Sequence, residues 1–109
     1  MSEELTVEKL MERMPKAFLP DKAKGVEAVI QFHFTGGEAG DWFAEIANGG
    51  CKVERGTREK PTLAVTVDEK DWVSIIGGQL NAMSAFAEQR LKLKGDLGLA
   101  MKMMGFFKL

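Results

Sequence analysis

Hydrophobic and polar positions alternate through the middle of this chain. Val26, Ala28, Ile30, Phe32 and Phe34 fall on one side, and Glu27, Gln31, His33 and Thr35 on the other. A period of two over ten residues predicts a strand with one buried and one polar face. Gly36-Gly37-Glu38-Ala39-Gly40 then reads as a turn. Trp42, Ala44 and Ile46 resume the alternation, with Phe43 facing the other way. Asn48-Gly49-Gly50 is a hairpin signal, because Asn and Gly tolerate the positive φ such turns require. Cys51 to Arg55 makes a third short strand. After a polar loop over Thr57–Lys60, Leu63, Val65 and Val67 make a fourth.

Both flanks have helical spacing. Thr6 is a good N-cap, Glu8 sits in the first turn where the helix dipole favours negative charge, and Leu10, Met11 and Met14 follow at helical intervals. This predicts a helix over 6–14, interrupted by Pro15, with Pro20 and Gly25 closing the region. Past Asp68, an N-cap that Asp71 could back up, the residues Trp72, Val73, Ile75 and Ile76 form an apolar helical face that Gly77-Gly78 ends. Asn81 caps a short helix with Met83, Phe86 and Ala87. Leu91 and Leu93 alternate with Arg90, Lys92 and Lys94 in a fifth strand. Asp96 opens a last helix carrying Leu97, Leu99, Ala100, Met103, Met104 and Phe107.

The order α-βββ-β-α-α-β-α describes an α+β domain in two layers: a five-stranded, mostly antiparallel sheet covered on one face by helices. Short turns predict an antiparallel meander for the first four strands. The fifth, arriving after two helices, is expected to add parallel to a neighbour. Ile30, Phe32, Trp42, Ile46, Val65 and Leu91 should face the helices.

Composition narrows the function. With 109 residues the chain reads as a single domain over 1–109, and 45% apolar with 28% charged residues suits a soluble globular protein. A net charge of −1 provides no field for nucleic acid or for an anionic membrane, although Glu3, Glu4, Glu8 and Glu12 load the start and Arg90, Lys92, Lys94, Lys102 and Lys108 the end. One cysteine excludes an intramolecular disulfide and fits a reducing compartment. The acidic N-terminus lacks a signal-peptide core and no apolar run reaches the ~20 residues of a membrane span, so a cytoplasmic location is expected. Phe107-Lys108-Leu109 is similar to a peroxisomal tail, but Phe107 stands where a small residue is expected.

Candidate chemistry is sparse. His33 lies on the polar side of its strand, and without a second His no metal set is visible. Cys51 lacks a neighbouring base to activate it. The glycine pairs do not open a helix after a strand, so they are turns and not a phosphate cradle. Arg90, Lys92 and Lys94 share one strand face, as a solvated face or as a local anchor for a carboxylate, CoA phosphates or a membrane. Trp42 and Trp72 belong to core or cavity wall, and a buried Trp needs a partner for its ring N–H. No catalytic residues and no cofactor are assigned. What stands out is apolar surplus: Met83, Phe86, Met101, Met103, Met104, Phe106 and Phe107 crowd the last two helices, and methionine suits adaptable apolar surfaces. The last helix is apolar nearly all round, unlike a simple surface helix.

Four segments carry a family resemblance. They are Val29-Ile30-Gln31-Phe32-His33-Phe34 with Thr35-Gly36; Trp42-Phe43-Ala44-Glu45-Ile46 with Asn48-Gly49-Gly50 and Val53; Pro61-Thr62-Leu63-Ala64-Val65-Thr66-Val67 leading to Asp71-Trp72; and Arg90-Leu91-Lys92-Leu93-Lys94-Gly95-Asp96 followed by Leu99-Ala100. Together, from about Leu10 to Phe107, they resemble the sterol carrier protein 2 (SCP2) domain family, departing from it at Gln89-Arg90, where Gly-Lys is common. The resemblance implies an apolar cavity between sheet and C-terminal helices that binds and transfers fatty acid, fatty acyl-CoA, sterol or other lipid without covalent chemistry. Ile30, Phe32, Ile46, Ile75, Met83, Phe86, Leu99, Met103 and Met104 are the expected lining. Transient membrane contact and a homodimer are compatible with such a role. The alternative is an accessory or dimerisation module whose groove serves a protein partner.

Overall fold

The computed structural model describes residues 6–37 and 40–106, with the side chains of Met103 and Met104 outside that description, as are Phe107–Leu109. The elements are α1 (Val7–Ala17), β1 (Ala28–Thr35), β2 (Asp41–Ala47), β3 (Gly50–Arg55), β4 (Leu63–Asp68), α2 (Glu69–Ile76), α3 (Ala82–Ala87), β5 (Leu91–Gly95) and α4 (Leu97–Met103), ending in a 3₁₀ turn at Met104–Phe106. Each expected cap is present. Thr6 accepts from the Lys9 N–H, Asp68 from Lys70, Asn81 from Met83 and Ser84, and Asp96 from Leu99. These side-chain oxygens satisfy N–H groups that a helix start leaves without partners.

α1 continues through Pro15 to Ala17. Proline lacks an N–H and crowds the preceding turn, but here it falls in the last turn, where few further bonds are at stake. Val7, Leu10, Met11 and Met14 are buried along one face, and Phe18 follows them into the core. Burial of that face holds the last turn together.

The sheet order is β3-β2-β1-β4-β5. β1–β2, β2–β3 and β4–β5 pair antiparallel, whereas β1–β4 pairs parallel. This corrects two expectations. The first four strands are not a meander, because β4 leaves β3 and lies against the opposite edge of β1. β5 then adds antiparallel, not parallel, beyond β4. The fold remains a two-layer α+β domain with a mostly antiparallel sheet.

The reason lies in residues 56–62, which cross the outer face of the sheet. Gln31, in the middle of β1, is 2% exposed despite its place among polar positions. Its Nε2 donates to the carbonyls of Trp42 and Gly56 at 3.0 Å, and its Oε1 accepts the N–H of Arg58 at 2.7 Å. Arg58 then reaches over the Phe43 ring, with its Cζ 5.2 Å from the centroid, and its Nη1 donates to Glu45 at 2.7 Å. The crossover thus closes against the outer face with its polar groups bonded. Thr62 fixes its far end: its N–H donates to the Val29 carbonyl, its Oγ1 accepts from the Val29 N–H, and its own carbonyl accepts from Asp96. Gly95 passes so close to Thr62 that a Cβ there would lie 2.5 Å from the Thr62 carbonyl oxygen, at a φ of +113°. A side chain at residue 95 would meet both obstacles.

On the inner face the register aligns Ile30, Leu63 and Ala44, then Phe32, Val65 and Trp42. α1 packs over β3 and against α2, and Arg55 ties β3 to it through Glu8 at 3.0 Å. α2, α3 and α4 lie over β4 and β5. The last turn is fastened too, since the Phe106 ring is buried and its carbonyl accepts from Leu19 at 2.7 Å.

Replacing Gln31 by Leu should fill the same space and leave two carbonyls and one N–H without the amide. Chemical denaturation should show a loss of about 3 kcal/mol. A loss below ~1 kcal/mol would mean that the crossover does not depend on this amide.

Candidate ligand-binding site

α2, α3, α4 and the two strands beneath them do not close on each other. Between them is a partly open cavity of about 170 Å³, with Val65 of β4 and Leu91 and Leu93 of β5 as its floor. Trp72 and Ile75 of α2, Ala82, Met83 and Phe86 of α3, and Leu97, Ala100 and Met101 of α4 form its walls and rim. Leu91 and Leu93 point inward because the strand alternates, which leaves Lys92 and Lys94 on the outer face, in register with Thr66 and Ala64. α3 is six residues long and α4 seven. With alanines at 82 and 100 on the inner side, such short helices cannot fill the space above the sheet.

The rim has an unusual composition. Met83 is 64% exposed, Phe86 42%, Leu97 50% and Met101 74%, and these are the large exposed hydrophobics among the described residues. All four line the same cavity. Scattered single apolar residues on a surface are ordinary, whereas a cluster around an opening marks a contact site.

Of the residues expected to line a site, Ile75, Met83 and Phe86 do line this cavity. Ile30, Phe32 and Ile46 lie elsewhere, buried in the closed core under β1 and β2. Leu99 is also buried in the core cluster, on the side of α4 away from Leu97 and Met101. Met103 and Met104 have side chains outside the description. Val65, Trp72, Ala82, Leu91, Leu93, Leu97, Ala100 and Met101 complete the lining. The alternation of Leu91 and Leu93 and the apolar surplus of α4 were the available signals. Which side of α4 faces the gap depends on how that helix sits, and spacing does not specify it.

Charged side chains frame the site from outside. Arg90, just before β5, donates to Asp71 of α2 at 2.6 Å and to Glu88 at 3.4 Å. These hydrogen bonds, with Asp71 first, raise the guanidinium pKa still further. Asp71 thus links α2 to the start of β5 instead of backing up the Asp68 cap. His33 pairs with Asp41 at 2.8 Å on the outer face, away from the cavity. No cluster of His, Cys, Asp and Glu suited to a metal occurs among the described residues, nor does a helix long and apolar enough to cross a membrane.

The comparisons with known proteins bear on the family and the fold as a whole. The model of the SCP-2 sterol transfer family matches residues 7–108. The chain belongs to that family. It is 32% identical over 84 residues to hydroxysteroid dehydrogenase-like protein 2 of Xenopus tropicalis, covering 76% of this chain and 20% of that one. It is 30% identical over 97 residues to human sterol carrier protein 2, covering 89% and 18%. A solution structure of palmitated SCP2L2 from Aedes aegypti superposes with a TM-score of 0.74 at 28% identity, covering 91% of each chain. This SCP2 domain therefore spans about a fifth of the length of the curated relatives it matches.

Cys51 lies on β3, half-buried, outside the cavity lining. Burial pushes its thiol up from the ordinary 9.0 to about 11. The unfolded thiol loses its proton first as pH rises, so its contribution to stability is held below pH 9.0 and lost between 9.0 and about 11. Alkylation of the folded protein should accordingly be slow at neutral pH and rise with a midpoint near 11. A midpoint at or below 9.0 would reveal an activated thiol.

Proposed function

We propose that this domain binds and transfers an apolar ligand — fatty acid, fatty acyl-CoA, sterol or another lipid — in the cavity between β4–β5 and helices α2–α4, without covalent chemistry. The observation that carries this reading is the coincidence of rim and exposure: the large exposed hydrophobics of the described residues surround one apolar opening. Family membership supports lipid binding as the general role, and the palmitated relative shows the same architecture in a protein carrying a fatty chain. Each methylene moved from water into such a site contributes roughly 0.8 kcal/mol, so a chain needs few polar contacts to be held. The cavity of about 170 Å³ is smaller than the ~300–1,000 Å³ of typical ligand pockets. A long chain would therefore extend across the rim, and the Met83, Phe86, Leu97 and Met101 side chains would cover it. The rim would also be the part that meets a membrane during transfer.

A second reading is an accessory role in which the groove receives a protein partner. It is favoured by the small share of the curated relatives that this chain covers, since in them the domain is one part of a larger protein. Native mass spectrometry separates the two, because co-purified lipid supports the carrier and an empty self-associated or partner-bound form supports the module.

In lipid-stripped protein, the double substitution F86S/M101S should weaken binding of a fluorescent fatty-acid analogue at least tenfold. Two exposed side chains that a bound chain would cover, at ~1.5 kcal/mol each, support that magnitude. Because both positions are exposed, stability should fall by less than about 1.5 kcal/mol. Unchanged affinity in a folded double variant would place the ligand elsewhere.

A further inference from the structure

β3 and β5 are the two edges of the sheet. The Gly56 N–H, just past β3, donates to the Asp41 carbonyl at 3.0 Å. Along a strand the backbone groups of successive residues point to alternate sides. Lys52 and Glu54 therefore direct theirs at β2, and Cys51, Val53 and Arg55 direct theirs at the free edge. Among the described residues no backbone hydrogen bond reaches that side of β3. α1 packs on the inner face of β3 and reaches inward to α2. On the outer face β3 presents Lys52 and Glu54, both exposed, with their charged groups 3.4 Å apart. On the inner face Val53 is half-buried.

An open strand edge is a template for another strand, and the side chains beside it decide which strand fits. A second β3 laid antiparallel, with Val53 on its own copy, fits on every count. The N–H and C=O groups of Cys51, Val53 and Arg55 then meet those of Arg55, Val53 and Cys51 in the copy. Lys52 stands opposite Glu54 of the copy, and Glu54 opposite its Lys52, in the closely spaced positions where opposite charges attract. A shift of two residues either way sets Lys52 on Lys52 or Glu54 on Glu54. β5 is different. Lys92 and Lys94 share its outer face, so two β5 strands in the same arrangement set lysine against lysine, which guards that edge.

We propose that β3 is a dimerisation strand: two copies of this chain pair antiparallel through their β3 edges, about a two-fold axis at Val53, into one continuous sheet. The contact uses the same edge of both copies, so it closes at two. It covers the half-buried Val53 with its counterpart. It is one short strand, and the dissociation constant is expected to be roughly micromolar. The cavity over β4 and β5 lies toward the opposite edge of each sheet, so both openings stay free. The pairing goes beyond the lipid-binding reading and does not depend on it.

The test is sedimentation equilibrium of the full chain at low salt, from micromolar to millimolar concentration. Wild type should show a monomer–dimer equilibrium. Glu54→Lys sets lysine against lysine and Lys52→Glu sets glutamate against glutamate, and each should raise the dissociation constant about tenfold or more. An equimolar mixture of the two variants restores both opposite-charge pairs and should dimerise as wild type does. Val53→Pro removes the central N–H, which serves no bond inside the sheet, so the fold should persist and the dimer should be lost. Affinity of that variant for a fluorescent fatty-acid analogue should be unchanged. A wild type that stays monomeric throughout overturns the inference. So does a dimer indifferent to these substitutions, whose interface must then lie elsewhere. Failure to bind the fatty-acid analogue counts against the lipid-binding reading alone. Should Val53→Pro not fold, the mixture of charge variants decides.

Discussion

One buried side-chain amide, that of Gln31, holds the segment that sends β4 to its place. In the low-dielectric space beneath residues 56–62, each polar group of that amide has a backbone partner on the crossover or on β2. Hydrogen bonds there are both stronger and more costly to lose than at the surface. A chain leaving β3 could turn back beside it and form a fourth antiparallel strand. It instead passes over the outer face, where Phe43 and Gln31 would otherwise be open to water, and emerges along the free edge of β1. The crossover therefore does two jobs: it covers the outer face at the sheet centre, and it puts a parallel strand where α2 can follow directly.

The cavity depends on that placement. α2 begins as β4 ends, with Asp68 serving both strand and cap, and β5 returns beside β4 with its leucines facing inward. The Arg90–Asp71 pair joins the first helix of the wall to the start of β5. It is a surface interaction and adds little stability, but it fixes how the two edges of the opening sit. Over β1 and β2 the core is closed by large buried side chains, with α1 packed over the neighbouring β3. Over β4 and β5 the cover is α2 and two shorter helices, α3 and α4, with alanines inside and methionines, Phe86 and Leu97 at the margin. The two halves of one sheet thus differ: one is closed, and the other leaves apolar surface around an opening.

The shape of the chain was legible where the signal is local. Alternation located all five strands, and Thr6, Asp68, Asn81 and Asp96 marked the helix starts by their side-chain oxygens. The inward face of each strand followed from the period of two, down to Val65, Leu91 and Leu93. Pro15 misled because a proline near the end of a helix has few bonds left to break, and the buried face of α1 outweighs it. Gln31 misled more seriously, since its polarity suits a solvated position as well as a buried, fully bonded one. Nothing near it in the chain distinguishes the two, because its partners are Trp42, Gly56 and Arg58.

The site divides in the same way. The excess of Met and Phe near the C-terminus pointed to an apolar opening, and Ile75, Met83 and Phe86 line it. Ile30, Phe32 and Ile46 have the same apolar character but lie under the closed half of the sheet. By itself the sequence determined the elements, their caps and their apolar faces, because these rest on interactions a few residues apart. The tertiary structure alone decided which edge of β1 receives β4, which half of the sheet stays open and which side of α4 faces the opening. Those outcomes depend on groups tens of residues apart meeting in space, and no local period encodes such meetings.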